Sequence, residues 1–484
     1  MGSAQSLAWV AMDSLHDLTA LEQGRAIAAG DVTALEFAQY YLERSAELTD
    51  VVGAFTALLP DLAVAQARAA DTAVAAGLPD GTSPLFGVVC PVKDLEFIAG
   101  VPSQLGSAAA RLTTTMPVDS SVVAAMRAAG LVFTGKTNTP ELGMPCYTEP
   151  DHAPPARTPW DLARSAAGSS GGAAAAVAAG LAPIAQGSDG GGSVRLPASV
   201  CGLVGIKSSR GRVSTGPFSG DPGDLLCYGP LARTVADAAA LLDVMAAPFV
   251  GDAYRALPVE GTFLAAARRG PGRLRVAVFT EPILGHTPPT PEVEAAVAAT
   301  AELVAGLGHE VEWIDPPLER AAVPLFEVLW AGLAGSVAFD EDVWPSLTPL
   351  TQYLCRRSKA PTAGQFVAAL GEIRGYARRA MIATDEFDAV LCPTAAAPPF
   401  EVGSMRDDED PAADFAAQKE WSPYTAVYNI TGQPSISLPL NWTESGLPIG
   451  VQFAGRRDRE DVLISLAAQL EEAAPWQHRR PAIW

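Results

Sequence analysis

The sequence predicts an α/β fold, and three observations predict it. Helical and strand patterns alternate along most of the 484 residues. The chain is 49% hydrophobic and only 18% charged, which excludes a disordered or fibrous polypeptide. No linker long enough to separate independent units is visible, so one large domain over 1–484 is expected, although length alone at about 150 residues per domain suggests about three.

The elements follow in order. Residues 14–77 read as helices: one carrying Leu18, Leu21, Ala26 and Ile27, then Ala34–Leu48, then Leu62–Ala76 stopped by Gly77. Phe86–Val92 is an apolar run that reads as a buried strand. Ser120–Ala129 is a helix stopped by Gly130, with a strand at Leu131–Thr134. An Ala-rich helix at Ala173–Ala179 ends at Gly180 and leads into a strand at Leu181–Gln186. Further strands fit Leu203–Lys207, Arg273–Phe279, Ala389–Cys392, Ser435–Leu438 and Gly450–Ala454. Helices fit Thr234–Met245, Pro291–Leu307 and Asp461–Ala473. The acidic segment Met405–Glu420 reads as an exposed loop, with a mobile cover at 402–421 as the alternative.

Composition narrows the function. Thirty-three Lys+Arg against 54 Asp+Glu give a net charge of −21, which argues against nucleic acid, because phosphate binding needs clustered basic residues. The six cysteines are scattered, as for reduced thiols in a cytoplasmic protein. The five histidines are isolated, so neither a metal nor another cofactor is expected. The longest uncharged apolar stretch, Gly171–Gly187, is too short and too Ala-rich to span a bilayer, so no membrane partner is expected. Met1-Gly2-Ser3-Ala4-Gln5-Ser6 fits a myristoylation pattern but has no basic patch beside it.

Three motifs compete to carry chemistry. Gly130–Thr137 matches GxxxxGK[ST], yet a helix precedes it and the segment between its glycines is itself strand-like. A phosphate-cradling loop, and with it nucleotide binding, is therefore disfavoured. Gly168-Ser169-Ser170-Gly171-Gly172 fits a GxSxG elbow with Ser170 as nucleophile, but a proline-rich loop precedes it and no histidine presents itself as base. The third reading joins this serine loop to Gly187-Ser188-Asp189-Gly190-Gly191-Gly192-Ser193. About ten helical residues advance roughly 15 Å and six strand residues return roughly 20 Å, so Ser169 and Ser193 can meet at one sheet edge. Three glycines before Ser193 allow a backbone oxyanion hole. Serine needs a base, and a desolvated lysine is the candidate: Lys93, after the apolar run Phe86–Val92.

These segments closely resemble the amidase signature family: Gly168–Gly172, then Gly187 through Ala198, then Gly202–Lys207. Pro91-Val92-Lys93-Asp94, Thr134–Asn138, Gly229–Thr234, Asn429–Gly432 and Gly446–Gln452 extend the match over about residues 15–475. The resemblance implies an α/β/α sandwich around a central mixed, mostly parallel sheet. Its signature core would span about 85–235, a helical excursion about 245–385, and a sheet-completing segment about 386–475. It implies an amide hydrolase with Ser193 as nucleophile, Ser169 as bridging serine with a cis peptide, and Lys93 as base. Backbone N–H groups of Gly190, Gly191, Gly192 and Ser193 would form the oxyanion hole, with Ser170, Asp189 and Arg195 supporting the loop. The expected partner is a small-molecule amide or carbamate, with anilides and esters in scope, and the chain acts as a monomer or homodimer. A glutaminase subunit of a tRNA-dependent amidotransferase shares the signature and stands as the alternative. Gly190 departs from the pattern, since a larger residue is common there, and this suggests a wider acyl pocket or a looser hole.

Overall fold

The computed structural model describes residues 12–218, 221, 223–337 and 340–484; the Met1–Ser6 motif lies outside them. The N-terminal helices form where expected because their ends are chemically marked. Thr19 and Thr33 cap Ala20–Ala29 and Ala34–Val52 in reciprocal capping boxes with Glu22 and Glu36, and Gly30 and Gly53 close them in the left-handed conformation. Pro60 opens the third helix, Pro60–Ala76.

Strands are numbered in chain order. A small sheet comprises β1 (Phe55–Leu58), β2 (Val92–Lys93) and β5 (Gly135–Thr137), in the order β1-β5-β2. A two-stranded ribbon pairs β3 (Pro102–Ser103) with β4 (Thr114–Thr115). The large sheet holds β6 (Ile184–Asp189), β7 (Val204–Lys207), β8 (Cys227–Ala232), β9 (Arg275–Val278), β10 (Glu310–Trp313), β11 (Ala389–Pro393), β12 (Ser435–Trp442) and β13 (Pro448–Gly455). Its order is β10-β9-β11-β13-β12-β7-β8-β6.

The large mixed sheet flanked by helices is the expected α/β architecture. Alternate residues enter different cores. Val276 and Val278 join a cluster with Leu241, Val297 and Leu463 from helices Val235–Met245, Pro291–Gly306 and Glu460–Ala473. Ala277 joins the opposite cluster with Ala175 and Leu196 from helices Gly171–Ala178 and Arg195–Cys201. Each fully buried Val or Leu in these layers contributes about 1.5–3 kcal/mol.

Five expectations need correction. The sheet is not mostly parallel: only β10–β9 and β9–β11 run parallel, and the other five neighbour pairs are antiparallel, because β12 and β13 return as a hairpin and β6, β7 and β8 zigzag. Phe86–Val92 is not a continuous strand: Phe86 and Gly87 are turn, the segment bonds to Gly130 and Val132 around one isolated bridge, Val89 to Val132, and strand pairing begins only at Val92. Likewise the strand after Gly130 is Gly135–Thr137, not Leu131–Thr134. The excursion at 245–385 is not purely helical, since it supplies β9 and β10 to the main sheet. Met405–Glu420 is not a plain loop either: Asp410 caps a helix over Pro411–Trp421, and Asp414 within it is buried, accepting from Tyr147 Oη at 2.6 Å. The stretch Arg320–Val337 is long and apolar enough to cross a membrane by length and composition. Here Phe326, Leu329, Trp330 and Ala334 of that stretch are buried.

Candidate active site

Lys93 ends β2, which pairs in parallel with β5, so the side chain leaves a strand end as expected. It is fully buried. Its backbone N–H donates to Gln186 Oε1 at 3.0 Å, which ties β2 to β6. Its Nζ lies 2.8 Å from Ser169 Oγ, 3.0 Å from Ser170 Oγ and 2.9 Å from Ser188 Oγ. Burial pulls its pKa down to about 7, against the opposing charges of Asp189 and Glu96.

The two serine loops meet as the helix-out, strand-back geometry requires. Ser170 N–H donates to Ser193 O at 3.1 Å, and Ser169, Ser188 and Ser193 all line one cavity of about 1160 Å³. The Gly168–Ser169 peptide is cis. Glycine is required beside it: a Cβ at Gly172 would sit 2.4 Å from the Asn138 nitrogen and 2.5 Å from the Ala54 carbonyl oxygen. Leu95, Phe97, Leu142, Met144 and Trp330 give the cavity a largely apolar wall.

Beneath the Gly190–Ser193 turn lies a buried ion pair. Arg195 Nη2 and Nε donate to the two Asp189 oxygens at 2.8 and 2.9 Å, and neither side chain is exposed. Arg195 also donates to Thr425 O, Gln452 Oε1 and Asn429 Oδ1 at 2.9, 3.0 and 2.7 Å. Asn429 Nδ2 returns to Asp189 O at 2.8 Å. Burial works against the Asp189 carboxylate, yet Arg195 holds its pKa below the usual range. Asp189 Oδ1 accepts the Gly192 N–H at 2.8 Å and Oδ2 accepts the Val194 N–H at 3.1 Å. The Gly192 donor is therefore committed to Asp189, which corrects its place in the expected oxyanion hole. The N–H groups of Gly190, Gly191 and Ser193 have no protein acceptor among the described residues.

Gly190 does not leave a gap. A Cβ there would lie 3.2 Å from the Trp330 ring, so a side chain from 140 positions away fills the space a larger residue would take. The rival motifs also resolve. Lys136 of the GxxxxGK[ST] match is buried in an ion pair with Asp94 at 2.9 Å and donates to Ser103 Oγ and Glu96 O at 2.6 Å each. Ser170 is bound to Lys93, and no histidine lines the cavity among the described residues, which removes the elbow reading. Sequence reasoning missed Ser188, Gln186 and Thr425. Ser188 stood within the serine loop, whereas Gln186 and Thr425 carry no local signal because their partners are remote in sequence.

The family model described as Amidase matches residues 36–464. A Synechocystis sp. protein named as an amidase is 37% identical over 94% of this chain and 88% of its own length. The 6-aminohexanoate-cyclic-dimer hydrolase of Paenarthrobacter ureafaciens is 38% identical over 75% of this chain and 78% of its own. Among solved structures, a 6-aminohexanoate cyclic dimer hydrolase complexed with substrate superposes with a TM-score of 0.88 at 32% identity, covering 97% of this chain and 99% of that one.

Proposed function

This chain belongs to the amidase family and is a serine hydrolase of C–N bonds in amides other than peptide bonds, and from that premise we propose that Ser193, Ser169 and Lys93 carry its chemistry. The observation that carries the proposal is the Lys93 amine, fully buried among serine hydroxyls and 2.8 Å from Ser169 Oγ, on the wall of the cavity that Ser193 also lines. A neutral amine has two hydrogens and one lone pair. Its hydrogens go to Ser188 Oγ and to Ser170 Oγ, which is itself oriented by donating to Ser188 O, and its lone pair accepts from Ser169.

As Ser193 Oγ attacks the carbonyl carbon, its proton passes to Ser169 while the Ser169 proton passes to Lys93. The oxyanion is held by the N–H groups of Gly190, Gly191 and Ser193, with Gly192 held back by Asp189. Collapse breaks the C–N bond as Ser169 gives a proton to the leaving nitrogen and takes one back from Lys93, which is left neutral for the second half. Water, deprotonated through the same relay, then releases the acyl group from Ser193. Asp189 and Arg195 hold the loop and touch no reacting atom, while Ser170 orients the Lys93 amine.

The large apolar cavity supports anilides, carbamates and esters as further substrates, since Ser193 attacks any carbonyl that fits. Six buried, unpaired thiols support a cytoplasmic setting, and a monomer or homodimer is sufficient because the site is built from one chain. The test is Ser193→Ala, which should fold as the parent does and lose about 10³-fold or more in kcat on an amide. Parental turnover by that variant would overturn the assignment. Cleavage of glutamine alone, with every aryl amide, ester and carbamate refused, would hand the scope to the glutaminase reading.

A further inference from the structure

We infer that Glu96 is a specificity-determining residue that holds a positively charged nitrogen of the substrate, so that the preferred amides carry an ammonium group reaching this part of the cavity wall. The inference rests on the reading of this cavity as the active site. Glu96 lies three residues beyond Lys93, at most about 11 Å along the chain. It is only 5% exposed, and it lines the same cavity as Ser169 and Ser193 between the apolar side chains of Leu95 and Phe97.

The backbone that presents it is pinned on both sides. Glu96 N–H donates to Lys93 O at 3.0 Å, and its carbonyl accepts from Lys136 Nζ at 2.6 Å and Ser103 Oγ at 3.2 Å. This gives the lysine of the misleading phosphate-loop match a role as the anchor of the Glu96 turn. The Glu96 carboxyl has the neutral hydroxyls of Tyr228 and Ser120 beside it, and the charges of Lys136 and Lys93 act on it from further off. Among the described residues it has no ion pair, since Lys136 is spent on Asp94.

The other charged groups of the wall are already matched. Arg111 pairs with Asp340 at 2.9 Å, and Asp224 pairs with Arg374 at 2.6 Å. Arg210 donates to the carbonyl oxygens of Asp224, Asn429 and Ile430. Asp221 accepts the N–H groups of Gly223 and Leu226, and Asp252 accepts from Ser214. Glu96 has hydroxyls beside it but, among the described residues, no cation at ion-pair distance. A buried carboxyl with no cation at contact distance is costly, and burial raises its pKa against the pull of the two hydroxyls and of Lys136 and Lys93. An ammonium on the substrate completes the pair where water is largely excluded, whereas a methyl group of the same size leaves the carboxyl as it was.

Two measurements at pH 8 test this, where alkylammonium groups are charged. The first is the ratio of kcat/KM between ω-aminoacyl and alkanoyl p-nitroanilides of matched length, over one to five methylenes. The parent should favour the ammonium series at least tenfold at its best length. Glu96→Gln should bring the ratio to within about threefold of unity, and Glu96→Asp should restore a preference at a longer chain. The second is calorimetric binding of hexylamine against hexanol, which needs no turnover; the amine should bind at least tenfold tighter to the parent and lose that margin in Glu96→Gln. Equal binding of the two by the parent, or a preference unchanged by Glu96→Gln, overturns the inference. Binding preference without cleavage of either series would instead strike the nucleophile assignment, so the two failures stay separate.

Discussion

The Lys93 side chain sets how the enzyme should respond to pH. Its pKa in the folded chain is about 7, lowered chiefly by burial from the ordinary 10.5, so the neutral form that can act as base predominates above about pH 7. Activity should therefore rise about tenfold per pH unit below 7 and level off above it, read as kcat/KM on a neutral anilide. Loss of the rise, or a fall across the same range, would mean that a different group is the base. Stability has its own sign. Between about 7 and 10.5 the unfolded chain carries the proton and the folded one does not, so the contribution of this group to stability grows as pH rises through that window. Lys93→Ala should remove activity at every pH. A parental rate in that variant would refute the relay even if Ser193→Ala were inactive.

At the scale of the elements, glycines separate close packing from mere flexibility. Gly172, in the helix Gly171–Ala178, has no room for a Cβ because backbone atoms of Asn138 and Ala54 lie within 2.5 Å of it. Gly371, in the helix Ala363–Ala383, is exposed and would meet nothing within 4 Å. Gly172→Ala should thus destabilise by several kcal/mol, in the range of severe core overpacking (about 1–3 kcal/mol or more). Gly371→Ala should stabilise by about 0.5–1 kcal/mol through helix propensity. Thermal melts of the two variants check the opposite signs; a stabilised Gly172→Ala would show that the loop packing is not as described.

The same distinction between local and remote causes decides what could be read from sequence. Pro291–Gly306, Ala389–Pro393 and Glu460–Ala473 fall close to expectation because periodicity and end signals act within the element. Phe86–Val92 misled because its apolar residues are buried by neighbouring helices, which requires no strand. Glu310–Trp313 was missed because it is an edge strand whose glutamates face solvent. The approach of Lys93 to the two serine loops was legible from their motifs. The helix over Pro411–Trp421 was hidden behind its acidic residues, although the buried Asp414 is bonded to Tyr147 from a distant segment. Gln186 and Thr425 depend on similarly remote partners and left no trace in spacing.

For the whole molecule, the site is shared between segments far apart in the chain. Trp330 comes from the helix Val323–Val337 and packs against Phe326 at a ring separation of 5.5 Å, which places its ring against Gly190 at the turn before Ser193. The small residue and the large one form a complementary pair, so they should couple energetically even though 140 positions separate them. Gly190→Ile alone would force its branched side chain into the Trp330 ring and tilt the oxyanion donors, with an expected loss of about 10–100-fold in kcat. Trp330→Ala alone leaves a void beside the hole and should also lower kcat, with a stability cost of about 3–5 kcal/mol for a buried tryptophan. The double variant refills that void, so its activity should exceed the product of the two single effects by a coupling of about 0.5–3 kcal/mol. A double-mutant cycle on kcat/KM measures this directly. Strict additivity would show that Trp330 shapes the cavity without bracing the turn, and the low bulk at Gly190 would then need another explanation than the ring beside it.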